Sequence, residues 1–297
     1  MFNTLKYYKF WFAVSGIILL FGIVSLSLYG LRLSIDFKGG TATELQFAKP
    51  FDINQVKNVI SDQKLGNFQL QTADNNSLII KTESLDKDQH DQMEAALKKT
   101  VGDFQETRYD SIGPVIGNEL KRDALYQLVL VSLGIVIYIG YAFRKVTKPV
   151  TSWRFGWSAV IALFHDLLFV LGFFSLLGHF KGVEIDSLFV TAMLTVLGFS
   201  VHDTIVVFDR IRENLKIYAG QSIEFVVNHS IAQTIVRSLN TSLTVLFVLL
   251  ALLLFGGESI RYFVLALFLG IIVGTYSSIF IASPVLVLWQ KWRTKTF

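Results

Sequence analysis

The sequence predicts an α-helical polytopic membrane protein, with six transmembrane helices and one small α+β ferredoxin-like domain on the extracytoplasmic side. Three observations predict it. The chain is 52% hydrophobic and 17% charged over 297 residues, where soluble domains carry about 25% charge. Apolar runs long enough to cross a bilayer as helices recur six times. A polar stretch of about 90 residues, enough for one small core, separates the first run from the rest.

The first span covers 10–30. Lys6 and Lys9 precede it, as they would precede a signal peptide. The run is longer than a signal h-region of about 7–15 residues, and Ser25 to Tyr29 is a poor cleavage site. It reads as a retained helix.

The outer domain, 31–120, has its own periodicity. Thr43 to Phe47 alternates as a strand. Asp52 to Gln63 carries Ile53, Val56 and Ile60 on one helical face. Asn67 to Thr72 and Ser77 to Thr82 read as strands joined by Asp74-Asn75-Asn76. Asp86 to Val101 is an amphipathic helix with Met93, Leu97 and Val101 as its stripe, and Phe104 to Tyr109 a last strand. The order β-α-β-β-α-β is that of a ferredoxin-like unit.

A five-helix region follows over 121–288, with spans at 124–143, 157–178, 187–208, 237–256 and 262–288, and a tail at 289–297. Basic residues set orientation. Lys6 and Lys9, then Arg144, Lys145, Lys148 and Arg154, then Arg210, Arg212 and Lys216, then Lys291, Arg293 and Lys295 fall on one side. The short opposite loops carry Lys181 and Arg261. Both termini are therefore expected in the cytoplasm. Between two spans, 209–234 is broken at Gly220 and then shows the stripe Ile223, Val226, Val227, Ile231. It reads as a helix in the cytoplasmic membrane interface, or as a cytoplasmic helix packed on the bundle.

The chemistry lies in ionisable groups within apolar spans. Asp203 sits about 7.5 Å inside the end of its span, at 1.5 Å per residue. A charge at the bilayer centre costs roughly 2.5–3.5 kcal/mol on insertion scales and marks a functional site by default. His165 and Asp166 lie at a similar depth in the third span. His202 points about 100° away from Asp203 on the same helix. Arg237 opens the fifth span, either snorkelling to the interface or turning inward to pair with Asp203. Asn240, Thr241 and Thr244 offer further polar contacts on that helix. This set suits proton or ion handling.

Where the outer domain begins, Ile35-Asp36-Phe37-Lys38-Gly39-Gly40-Thr41 forms either a tight turn from membrane to strand or a hinge. It lacks the spacing of a phosphate loop. Gly270 to Gly274 is a GxxxG packing pattern. The chain has no cysteine, which removes disulfides and thiolate metal sites. The five histidines form no HExxH motif or His-rich cluster, so no metal and no cofactor is expected. A net charge of +4 without a basic stripe gives no support for nucleic-acid binding.

These motifs resemble the SecF family of membrane subunits in the bacterial Sec protein-translocation system. The resemblance rests on Ile35 to Thr41, on Ile112-Gly113-Pro114-Val115-Ile116-Gly117-Asn118-Glu119-Leu120, and on Ala162 to Asp166. It rests further on Gly198 to Asn214 around Asp203 and on Arg237-Ser238-Leu239-Asn240-Thr241-Ser242, where Ser238 replaces a common Thr. It spans the whole chain and is most specific from Gly198 to Asn214. It implies a six-span bundle of the resistance–nodulation–division type, pairing with SecD, association with the SecYEG translocon, contact with a translocating preprotein and membrane lipid, and residence in the bacterial cytoplasmic (inner) membrane. It also implies that the proton gradient is the energy source, that the protein is not an enzyme, and that Asp203 and Arg237 stand where proton passage is assigned. A proton-coupled small-molecule exporter and a non-transporting scaffold are the competing readings.

Overall fold

The structure is a computed structural model, and it describes residues 4–63, 65–73, 76–144 and 151–294. The chain divides into two compact units, Met1–Arg32 with Tyr126–Phe297, and Leu33–Leu125. Asp74 and Asn75 of the expected turn, and Lys145, Lys148 and Lys295 of the basic segments, lie outside the described residues.

In the first unit α1 (Tyr8–Tyr29) crosses first. The second unit opens with the one-turn helix α2 (Ile35–Lys38), then β1 (Gly40–Phe47), α3 (Ile53–Asp62), β2 (Gln69–Ala73), β3 (Ser77–Thr82), α4 (Lys87–Thr100) and β4 (Phe104–Ile112). The sheet is antiparallel throughout, in the order β2-β3-β1-β4, the ferredoxin-like arrangement. Asp52 caps α3 by accepting from the Asn54 amide, and Asp86 with Gln89 forms a capping box on α4. Val56, Val59 and Ile60 from α3 and Met93 and Leu97 from α4 meet Leu45, Phe47, Leu78 and Ile80 of the sheet. Ile53, expected on the buried stripe, is instead exposed in the first turn of α3. Val59 takes its place.

Then come α5 (Pro114–Ala142), α6 (Ser152–Lys181), α7 (Ser187–Ile217), α8 (Ile223–Phe255), α9 (Arg261–Ser277) and α10 (Ser283–Thr294). Six helical stretches are long and apolar enough to span a membrane, α9 and α10 forming the last. The centre of the bundle is α6, α7 and α9, and small residues set their spacing. A Cβ on Gly270 would collide with Val196 Cγ2, and one on Gly274 would meet Ser200 Cβ at 3.0 Å, so α9 lies close against α7. Gly172 likewise lets α1 approach α6 through Gly22.

The segment 209–234 is not a separate interfacial helix. It is the end of α7, a short turn at 218–222, and the start of α8. At 31 and 33 residues these helices run about 46–50 Å, well beyond a hydrocarbon core of about 30 Å. The physical reason is lateral pairing. Arg212 pairs with Asp209 and Arg210 with Glu213 one turn apart on α7. The buried Asn214 donates to Ser230 Oγ and Gln233 Oε1 across the pair. Val226, Val227 and Ile231 bury against Phe208, Ile211 and Leu215 in the bundle core.

The last span is also not one regular helix. Ser278 to Ala282 is a π turn between α9 and α10. Pro284, just beyond, has no N–H for the carbonyl four residues back, and its ring crowds that carbonyl. Widening the preceding turn relieves both problems.

Candidate functional site

At the centre of the bundle, two aspartates from different helices are held by serines from a third. Asp166 on α6 is 1% exposed and Asp203 on α7 is 5% exposed. Ser200, one turn before Asp203, donates to Asp166 Oδ2 at 2.5 Å. Ser277, at the end of α9, donates to the same oxygen at 2.8 Å. Its neighbour Ser278 donates to Asp203 Oδ2 at 2.7 Å. His165 Nδ1 lies 3.0 Å from Asp166 Oδ1. Consecutive helical residues project about 100° apart, so the adjacent serines can clasp one carboxylate each.

The π turn shapes the chemistry. Ser278 Oγ also lies 2.6 Å from the Gly274 carbonyl. A serine hydroxyl has one hydrogen and two lone pairs. With Asp203 ionised, that hydrogen goes to the carboxylate. With Asp203 protonated, the acid can donate to Ser278, whose hydrogen turns to Gly274. The charge on Asp203 thereby selects whether the Ser278 hydroxyl gives its hydrogen to the carboxylate or to the Gly274 carbonyl of α9. Among the described residues Ser278 is the one hydrogen-bond partner of Asp203, and no lysine or arginine pairs with either aspartate.

The residues singled out from sequence divide into three groups. His165, Asp166 and Asp203 are brought together. Arg237 and His202 are exposed, and the expected Arg237–Asp203 ion pair is not formed. The reason is helical phase. α8 begins at Ile223, so Arg237 lies inside the helix. Its inward face at this level carries Ser238 and Ser242, with Ser242 bonded to Thr275 at 2.6 Å. Arg237, Asn240, Thr241 and Thr244 form a stripe at i, i+3, i+4 and i+7 on an exposed flank.

The third group, Asp36, Lys38, Gly39 and Gly40, belongs to the second, α+β unit. Ser34 Oγ caps α2 by accepting from the Asp36 amide at 3.2 Å. Gly39 has φ 77° and Gly40 φ 143°, values that L side chains rarely adopt. A Cβ on Gly39 would meet Pro114 Cα at 2.8 Å, and one on Gly117 would meet the Gly39 nitrogen at 2.8 Å. The paired glycines therefore pack directly on the start of α5. The two chain connections of the α+β domain touch each other.

Sequence reasoning missed Ser200, Ser277 and Ser278. The available signals were a Ser-Ser pair in an apolar span shortly before a proline, and a serine one turn from Asp203.

Comparison with known proteins bears on these same segments. Residues 92–292 match the family described as protein export membrane protein SecD/SecF, C-terminal, and residues 24–50 match the SecD/SecF GG motif. A protein translocase subunit SecF of Thermobaculum terrenum is 46% identical, the alignment covering 98% of this chain and 95% of that protein. One of Anaerolinea thermophila is 41% identical over 99% and 96%. Among solved structures, the crystal structure of SecDF, a translocon-associated membrane protein from Thermus thermophilus, superposes with a TM-score of 0.84 at 34% identity. It covers 98% of this chain, which spans 39% of that one.

Proposed function

The chain belongs to the SecD/SecF family and is an auxiliary Sec translocase subunit of the SecF type, and on that premise we propose that it uses the proton gradient, with a SecD partner, to promote preprotein movement through SecYEG. The observation that carries the reading is the buried cluster Asp166–Ser200–Ser277 and Ser278–Asp203 across three helices. Burying an ionised carboxylate without a cation is costly. A proton removes that charge, and the potential supplies about 2.3 kcal/mol per charge per 100 mV. Asp203 is the carrier, because its charge state decides where the Ser278 hydrogen points. Asp166 and His165 complete the route. A bound proton can drive a conformational change only through such a difference between states.

Support for a SecD partner comes from α8. Its stripe of Arg237, Asn240, Thr241 and Thr244 is exposed on a helix otherwise fit for lipid. Polar side chains at that depth face protein or a water-filled cavity. SecD covers this flank, and Arg237 and His202 join the proton route there. Both termini face the cytoplasm of a bacterial inner membrane, and the outer domain meets the preprotein or SecD. The bundle moves that domain, whose entry and exit are tied together at Gly39 and Pro114.

The test is Asp203→Asn in proteoliposomes with SecD, SecYEG and the translocation motor. It removes the charge and keeps the size. The expected result is loss of gradient-dependent stimulation with assembly and ATP-driven translocation intact. Full stimulation by the variant would sink the assignment.

A further inference from the structure

The outer domain holds a cluster that proton handling leaves unused. Met93 and Leu97 of α4 fill the core under the sheet, and His90 continues their stripe toward the N-terminus at 9% exposure. Glu94 follows His90 at i+4, on the same flank of the helix.

The opposing strand, β4, is an edge strand with an irregularity. Phe104 pairs with Phe47, Glu106 with Leu45, and Tyr109 with Thr43; the register shifts between Glu44 and Leu45, leaving Thr107 as the extra residue. Directly paired residues share a face, and Phe47, Leu45 and Thr43 are buried. The bulge therefore turns both Glu106 and Tyr109 toward the helices. Strict alternation would send one of them the other way.

His90 packs against the Tyr109 ring, with centroids 4.2 Å apart. Its Nε2 lies 2.8 Å from Glu106 Oε2. Despite that distance, Nε2 is buried and lacks a hydrogen bond of acceptable geometry. Ligand atoms of His90, Glu94 and Glu106 all lie within 4.8 Å of one another. Two donors bound tetrahedrally to one zinc ion at about 2.0–2.2 Å stand about 3.3–3.6 Å apart. The close, unaligned His90–Glu106 approach needs only a small side-chain adjustment to open to that spacing.

We propose that His90 Nε2, Glu94 and Glu106 form a zinc site that clamps α4 to the edge strand β4. One imidazole and two carboxylates suit a borderline cation such as Zn²⁺. A fourth position stays open to water. Asp91 Oδ1, 3.6 Å from His90 Nδ1, sits on the far side of the ring, where outer carboxylates orient ligating histidines. Lys98 Nζ, 3.4 Å from Glu94 Oε2, opposes the cation. A plain His90–Glu106 ion pair, with an inward charge guarding the sheet edge, is the competing account. It requires neither zinc nor Glu94.

The experiment titrates Zn²⁺ into the full-length chain in detergent micelles against a chromophoric chelator, with Co²⁺ absorption as a second readout. The expected result is one saturable zinc per chain, a rise in melting temperature on adding zinc, and visible Co²⁺ bands. Affinity falls as pH drops, since imidazole must be neutral to bind. His90→Gln and Glu106→Gln should abolish the site, and Lys98→Met should tighten it. Glu94→Gln, at a partly exposed position away from the core, should stay folded by circular dichroism and lose about tenfold or more in affinity. Absence of saturable binding overturns the proposal. So does binding unchanged in folded Glu94→Gln, or binding that survives all three ligand substitutions and so belongs to His165, His179, His202 or His229.

Discussion

Replacing Gly39 by alanine tests whether the paired-glycine turn and the first turn of α5 form a packed joint or a free hinge. Two costs combine. An alanine held at φ 77° and ψ 158° sits in a region essentially open to glycine alone, costing roughly 1–3 kcal/mol. Its Cβ would lie 2.8 Å from Pro114 Cα and 2.9 Å from Pro114 nitrogen. Those are backbone atoms that cannot rotate away, and overpacking of this kind costs about 1–3 kcal/mol. The sum is about 2–6 kcal/mol, so the packed arrangement should lose at least ~30-fold in population. Gly30→Ala is the control. Gly30 also has a positive φ of 64°, but a Cβ there meets nothing within 4 Å, so it pays the first cost alone. Hydrogen exchange of the amides at 36–41 and 115–118, measured on the full chain, should accelerate strongly in Gly39→Ala and weakly in Gly30→Ala. Gradient-dependent stimulation of translocation should fall in the same order, with ATP-driven translocation unchanged. Equal exchange in the two variants would show that contact with Pro114 contributes nothing. Rapid exchange with full stimulation would refute transmission through the joint.

Gly270→Ala places a Cβ against Val196 Cγ2 and should lower the thermal stability of the chain in detergent by about 1–3 kcal/mol; Val196→Ala in the same chain should restore part of it, and simple additivity would count against close α7–α9 packing. Arg237→Lys keeps the charge and loses the planar fork. It should leave the melting temperature of the isolated chain unchanged, because Arg237 is exposed there, while weakening co-purification with SecD or lowering stimulation; an effect on the isolated chain alone would contradict a role on the partner face.

The ferredoxin-like unit was legible because its period changes are local. Alternation at 43–47 and the 3.6-residue stripe at Met93, Leu97 and Val101 need no knowledge of distant contacts. The segment 209–234 was less legible. Its charges suggested an exit from the membrane, yet they pair along α7, while Asn214 and Ser230 hold α7 and α8 together beyond the apolar zone. Ile53 was misplaced because the buried face of α3 is set by Val56, Val59 and Ile60, which leaves the first residue of the helix exposed.

Sequence alone determined that Asp166 and Asp203 are costly where they stand, since apolar flanks and depth are properties of the chain itself. It also determined that Gly39 and Gly40 mark a special backbone. Only the tertiary structure decided what each group touches. Ser277 and Ser278 look like ordinary polar residues in a helix until the π turn before Pro284 aims them at aspartates 111 and 75 residues away. Arg237 looks like the natural partner of Asp203 until the phase of α8 turns it outward. Glu106 and Tyr109 both face His90 only because a bulge at Thr107 resets the strand's alternation between them. Helix phase, π turns and bulges each shift a side chain by a fraction of a turn or a single residue, too little to alter hydropathy but enough to choose its partner.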